Sequence, residues 1–561
     1  MPYLQRSVLF VLVCVSGGCC SSLARGQTPF HSGDRVLFLG DSITQDGRYV
    51  ALVEAAIMVA NPEIDIQIIG AGLASETVSG ITEPVHPYPR PNINDRSKNI
   101  IDLVNPDWIV ACYGMNDGIY HPSSPNIVAA YTNGLSRLVE TAANANAKLI
   151  LVTPPPFDVD ANPIVQAIKQ ADKTEPYGYK NPYPKYCETL QELSAAVASF
   201  QDHPSVHQVI DLQAPMTTYL SSMKSLDKDY QYGDGVHPPL DGHVAMANLI
   251  LRSLDLGGKS PSDTLFGLTG IDPTGSVAAT TTDAQTQWLS SVFDRFHTIA
   301  NAYRSAAEAI DHQVASTTIG KAIDSVRSER VRLTHAGRVL LHGNVIEASV
   351  DSSTKTYGAE IAALNSLDQP TSETGQEILF IGSSSIRLWD SIETDMAPYA
   401  TIRRGFGGAN YADLAVFADR LIAPHQFQAV VVFIANDIKG NQNDATPEQV
   451  QSRAQYVCDV ALSHCPDAKV FLVEVTPTPD RFVHWRDICD VNAGLRKISL
   501  TTPNVFFVPT ADAYLDDRKQ PQSMFFGDDQ LHLNAQGYKL WSSLIKASLQ
   551  THLQPNSIDK E

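Results

Sequence analysis

The chain has 561 residues, of which 43% are hydrophobic and 18% charged, and a formal net charge of −20. That length exceeds what one hydrophobic core serves, so two or more domains are expected. The acidity argues against nucleic acid and anionic membrane surfaces as partners, and otherwise keeps a protein soluble without choosing a substrate.

The first 26 residues read as a leader. Arg6 supplies positive charge, Val8–Val15 is an apolar run too short for a mature membrane anchor, and Ala24-Arg-Gly26 has the small-x-small form of a cleavage site. Cys19 and Cys20 lack a lipobox before them. From the leader the mature chain is expected outside the cytoplasm, periplasmic or extracellular, and since no later stretch is apolar enough for a membrane helix, no stable membrane insertion is expected. Of the eight cysteines, Cys14, Cys19 and Cys20 fall in the leader. The other five, Cys112, Cys187, Cys458, Cys465 and Cys489, form no disulfide scaffold and match no zinc spacing. Cys458 and Cys465 read as buried free thiols. With no metal spacing, no cofactor is expected.

Beyond the leader, short apolar strands alternate with helical periodicity. Residues 35–39 form the first strand, ending at Gly40-Asp-Ser42 and followed by a helix over 48–60. Further strands are expected at 65–69, 108–112, 149–152 and 209–210, with helices near 127–145 and 186–200. The same order returns downstream. A strand at 377–381 leads into Gly382-Ser-Ser-Ser385, followed by strands at 429–434, 469–475 and 505–508 and helices near 447–464, 487–500 and 536–549. Such alternation implies a parallel sheet covered on both faces, here duplicated. The resulting division is a leader over 1–26, a first domain over 33–255, a helical connector or cap over 256–375, read as a spacer, and a second domain over 376–553.

In an open parallel sheet the carboxyl ends of the strands form the crevice where ligands bind. Ser42 follows the first strand, Asn116 and Asp117 follow the 108–112 strand, and Asp234-Gly-Val-His237 opens the last helix of the first domain. A serine hydroxyl acting as nucleophile needs a base within hydrogen-bond reach, and the base needs an orienting carboxylate. Asp three residues before His puts both side chains on one side of a turn, so Asp234 is placed to hold one imidazole nitrogen while the other faces Ser42. The Asn116 amide is then a donor for a developing oxyanion. Taken singly, Ser42 and Asp234 are also good helix caps, Asn116 and Asp117 good turn residues, and His237 an ordinary loop residue before Pro238. The pattern, not any one residue, carries the argument. His203 and His207 read as surface residues, and 83–91, rich in proline, as a loop over the first site.

These blocks resemble the SGNH/GDSL hydrolase family. Phe38-Leu-Gly-Asp-Ser-Ile-Thr44, Tyr113-Gly-Met-Asn-Asp117 and Asp234-Gly-Val-His237 are similar to its first, third and fifth blocks, in order. Phe380–Trp389, Arg404-Gly-Phe-Gly-Gly-Ala409, Ala435-Asn-Asp437 and Asp529–Asn534 resemble a related branch. The resemblance implies two flavodoxin-like three-layer α/β/α hydrolase domains with central parallel sheets. It makes Ser42 and Ser384 nucleophiles, His237 and His532 bases, Asp234 and Asp529 their orienters, and Asn116 and Asn436 oxyanion-hole amides. The hole's backbone donor falls on Gly408 in copy two and on Ser75, in place of the family's glycine, in copy one. Copy two also carries Ser383 for the Asp of Gly-Asp-Ser, and Ile434 where the third block has glycine, a branched side chain expected to crowd the hole. The implied activity is an exported serine esterase, with an ester as its partner and O-acetyl groups on polysaccharide as the expected class. The competing class is a glycan-binding or structural protein in which one copy, the second before the first, is inactive. A dinucleotide-binding protein is disfavoured, because no Gly-x-Gly-x-x-Gly opens a helix after a first strand.

Overall fold

The computed structural model describes residues 29–165, 176–256, 260–307, 312–367 and 375–553. The expected leader, residues 1–26, lies outside them. Each copy is built on one five-stranded parallel sheet. In the first, β1 (Arg35–Gly40), β2 (Gln67–Gly70), β3 (Trp108–Cys112), β4 (Lys148–Val152) and β5 (Val206–Ile210) lie in the order β2-β1-β3-β4-β5. In the second, β6 (Ile378–Gly382), β7 (Thr401–Gly405), β8 (Ala429–Phe433), β9 (Lys469–Val473) and β10 (Val505–Val508) lie in the order β7-β6-β8-β9-β10. The two orders are the same, 2-1-3-4-5. In each sheet the chain reverses direction across its first strand, and the crevice at that switch point is where doubly wound folds bind ligands.

The central strands are continuous apolar runs because both faces are covered. Val36, Leu37, Phe38 and Leu39 are fully buried, as are Ile378, Leu379, Phe380 and Ile381. Strand β7 was not expected from the sequence. It is an edge strand that reads Thr-Ile-Arg-Arg-Gly and is only partly buried, so no apolar run marks it.

The helices after Leu256 pack onto both copies. From helix Asp283–Ala307, Arg295 pairs with buried Glu54 at 2.7 Å and His297 Nε2 lies 2.6 Å from the Asp46 carbonyl oxygen. Helix Arg327–His342 lies between the copies. Arg338 donates to the Val59 carbonyl at 3.2 Å on the first and to Asp459 at 2.9 Å on the second, where His335 Nδ1 also meets Asp459 at 2.8 Å. Helix Val350–Asn365 reaches the second sheet's crevice, where the Glu360 carboxylate accepts the Gly407 N–H at 3.2 Å. Cys458 and Cys465 are buried free thiols, and His203 and His207 are exposed. Among the described residues no helix is long and apolar enough to cross a membrane.

Candidate active site

At the carboxyl end of β1, Asp41 caps a short helix, Ser42–Asp46, by accepting the Ile43 N–H, and Ser42 begins that helix. Ser42 Oγ lies 2.8 Å from His237 Nε2, and His237 Nδ1 lies 2.9 Å from Asp234 Oδ2. A carboxylate only accepts, so Nδ1 carries the proton and Nε2 is the acceptor for the serine hydroxyl. The other Asp234 oxygen accepts the backbone N–H groups of Val236 and His237, which fixes the turn that the three-residue spacing anticipated. The second copy repeats this. Ser384 Oγ is 2.8 Å from His532 Nε2, and His532 Nδ1 is 2.6 Å from Asp529 Oδ2. The other Asp529 oxygen accepts from Leu531 and His532 N–H.

Burial pushes the Asp234 carboxyl up, but hydrogen bonds from the His237 side chain and from the turn N–H groups outweigh it and hold the group at about 2. Asp529 is brought to about 2 by the same balance. The bond to Asp234 in turn raises His237 above the ordinary imidazole range, against the effect of burial. Asp41 is pushed up to about 7 by burial, whereas copy two has the neutral Ser383 at this position, also buried.

The two asparagines sit alike. Asn116 Nδ2 donates to the carbonyl of Glu76 at 3.2 Å, and Asn436 Nδ2 to that of Ala409 at 2.9 Å. Those carbonyls belong to the residues directly after Ser75 and Gly408, so the two positions are structural equivalents. Each amide has a second N–H left for the crevice. Asp117 and Asp437, one residue on, accept backbone N–H groups from Val78 and Ser79 and from Tyr411, tying the third block to the loop or helix after the second block. Ser75 and Gly408 share a left-handed backbone, with φ of 63° and 78°. Serine therefore occupies a conformation that costs an L residue about 1–2 kcal/mol. At Gly408 an added Cβ meets nothing closer than Tyr357 Oη at 3.5 Å, so strain alone opposes a side chain there. Gly408→Ala is expected to lower stability by about 1 kcal/mol, a few degrees in Tm, and Ser75→Gly to leave stability unchanged or raise it. Thermal unfolding of the two variants checks this, and the opposite pair of signs would show that the loops are not equivalent.

The crowding expected from Ile434 is absent. Gly114, its counterpart, has φ 138° and leaves no room beside Pro154, but Ile434 needs no such backbone, and its side chain is buried in the hydrophobic core and does not line the cavity beside Ser384. Asn436 is not displaced by it.

Two arginines escaped sequence reasoning. Arg90, within the 83–91 loop, donates to Asn116 Oδ1 at 3.0 Å and forms a bidentate pair with Glu83, both buried. Arg481, in the loop after β9, donates to Asn436 Oδ1 at 2.9 Å and to the Ala435 carbonyl at 2.5 Å. The same task falls to unrelated segments, so no common spacing marks it. A lone arginine in a proline-rich loop was the one available signal. The 83–91 loop forms a wall of the first crevice through His86, Pro87, Tyr88 and Arg90, facing Ser42, Asn116 and His237 around a cavity of about 420 Å³. The cavity beside Ser384 is much tighter, about 30 Å³. Among the described residues no group of three or more His, Cys, Asp or Glu is placed to hold a metal ion.

The model of the GDSL-like Lipase/Acylhydrolase family matches residues 38–245 and again 382–540. An acetylxylan esterase of Geobacillus stearothermophilus is 23% identical over 244 residues, 40% of this chain and 94% of that protein. Among solved structures, a catalytic mutant of an acetylxylan esterase from the same organism has 21% identity and a TM-score of 0.28, over 41% of this chain and 99% of the other. A gut microbial diltiazem-metabolizing enzyme has 21% identity and a TM-score of 0.33, over 41% of this chain, which spans about half (48%) of that one. The chain belongs to the GDSL-like lipase/acylhydrolase family, matched in two tandem copies, and is an ester-hydrolysing enzyme.

Proposed function

We propose that the chain is an exported serine esterase with two separate active sites that removes O-acetyl groups from carbohydrate. The observation that carries the reading is the repeated relay at two switch points, serine to imidazole to carboxylate, with an asparagine amide beside each. In each copy the serine hydroxyl attacks the ester carbonyl while the imidazole takes its proton. The carboxylate steadies the imidazolium that forms. The Asn amide, with the N–H of Ser75 or Gly408, receives the oxyanion. The imidazolium then returns its proton to the leaving alcohol, and water releases the acid by the same steps. Acetylated carbohydrate as the substrate rests on the acetylxylan esterase likeness and on the roomy first crevice, edged by His86, Tyr88 and Tyr179. The domain division follows the two sheets, 33–255 and 376–553. Acetate release from acetylated xylan, compared with short and long aryl esters, tests the reading. Turnover confined to long-chain esters would sink it.

Export rests on the leader. Material recovered outside the cytoplasm is expected to begin at Gln27, as N-terminal sequencing reads directly. A lipidated start at Cys19 or Cys20 would contradict it.

The electrostatics of site one give a pH profile. His237 must be neutral to accept the Ser42 proton, and its raised pKa moves the neutral form to higher pH. With Ser384→Ala in place, kcat/KM is expected to fall with decreasing pH through a midpoint above 6.5. Asp234→Asn removes the main cause of the raised pKa and lowers both midpoint and plateau. An unmoved midpoint in that variant would show that another group is being titrated.

A further inference from the structure

Arg90 and Arg481 do the same local work, holding the oxygen of an asparagine amide so that its nitrogen faces the crevice. Their charges are treated differently. The Arg90 guanidinium is neutralised by the bidentate carboxylate of Glu83, at 2.7 Å to each oxygen, and the pair is buried. Among the described residues no carboxylate pairs with Arg481. Asp480 and Asp444 act on it only through space, and burial holds its pKa below the ordinary guanidinium value. It lines the same small cavity as Ser384, Asn436 and His532, whose remaining walls are part hydroxyl, with Thr476 and Thr478, and part apolar, with Phe433, Val475 and Phe526. A half-buried cation with no carboxylate paired to it is costly, and orienting Asn436 does not explain it, because copy one orients Asn116 with the charge cancelled.

The geometry points to a substrate that brings the missing charge: site two is built for esters carrying an anionic group, and site one for neutral ones. This rests on the reading of copy two as a working active site. The tight space beside Ser384 suits a small acyl group such as acetyl, which leaves the alcohol to carry the anion. The substrate class is therefore an acetyl ester of a carboxylate-bearing alcohol, such as an acetylated uronic acid unit, rather than of a neutral sugar. The carboxylate meets the guanidinium in a partly desolvated cleft, where an ion pair is screened less than at an exposed surface. A polysaccharide bearing both kinds of unit would then be deacetylated by two sites on one chain, each taking its own positions.

The test uses the full mature chain with Ser42→Ala, so that only site two turns over, and the probes 3-acetoxybenzoate and 3-acetoxybenzamide. The Ser384→Ala protein, with site one alone, corrects for the intrinsic reactivity of the two esters. Site two is expected to favour the carboxylate probe in kcat/KM by about tenfold or more relative to site one, the discrimination of one partly desolvated ion pair. Raised salt should shrink the preference. Arg481→Gln should abolish it, and Arg481→Lys should keep part of it. Because the ratio is read, a general loss of rate from a loosened Asn436 does not obscure the result. If Arg481→Gln slows both probes by the same factor and leaves the preference standing, or if no preference exists, the charge serves the oxyanion alone and the inference is overturned while the esterase reading stands. If the Ser42→Ala protein hydrolyses neither probe and a serine-directed phosphonate never labels Ser384, the reading of copy two as an active site falls, and this inference with it.

Discussion

Ser42→Ala removes one esterase activity and leaves a second, and Ser384→Ala does the reverse. The expectation follows from connectivity. Each serine lies 2.8 Å from a histidine of its own copy, and each histidine is held by an aspartate three residues before it. Neither relay borrows a residue from the other copy. Removing the nucleophile of such a triad costs on the order of 10⁶-fold in kcat, because the three residues act as a unit and the remaining two do nothing alone. Each single variant should therefore lose its own site almost completely, and only the double variant should be dead on every ester. The residual activities should differ in preference, since one crevice offers about 420 Å³ and the other about 30 Å³. Progress curves of both single variants on short and long esters, with phosphonate adducts located by mass spectrometry, read this directly. If Ser42→Ala abolishes all turnover and Ser384 takes no label, the second copy is a binding or structural domain. The tightness of the second cavity is the feature that would then have foretold it.

What could be read in the sequence divides by how local its cause is. The strands at 35–39, 108–112 and 429–434 were legible because burial on both faces demands an unbroken apolar run, a signal carried in five residues. The relay was legible because the serine follows a strand and the aspartate and histidine share one turn. Strand β7 was missed because an edge position tolerates Arg403 and Arg404, and its neighbour β6 specifies the pairing. The roles of Arg90 and Arg481 were invisible for a different reason. Each acts through a contact with an asparagine that lies 26 residues later and 45 residues earlier in the chain, respectively, and nothing near either arginine records it. The Ile434 expectation failed because a one-dimensional motif does not say which way a side chain points. Ile434 lies one residue past the end of β8, and its side chain packs into the core.

Asn116→Ala is expected to lower kcat at site one by about 10²- to 10³-fold with little change in KM, the loss that follows removal of one oxyanion donor. The orientation of the amide is what makes the prediction specific. Its oxygen accepts from Arg90 at 3.0 Å and from the Tyr120 hydroxyl at 3.3 Å, so it cannot be the end that faces the substrate. Its nitrogen spends one hydrogen on the Glu76 carbonyl at 3.2 Å and keeps the other for the crevice. A second variant separates this donor role from mere support of the loop. Asn116→Asp preserves the shape and gives Arg90 a carboxylate to bind, so the fold and the 83–91 wall should persist even though the bond to the Glu76 carbonyl is lost. It also replaces the donating nitrogen by an accepting, negatively charged oxygen beside the developing oxyanion. The aspartate variant should therefore be at least as slow as the alanine one, while the lost bond to the Glu76 carbonyl lowers its unfolding temperature by about a few degrees. Both are measured with Ser384→Ala in place, so that site two contributes nothing. Should Asn116→Asp retain kcat, the amide nitrogen donates nothing in the transition state, and the Ser75 N–H would carry the oxyanion without it.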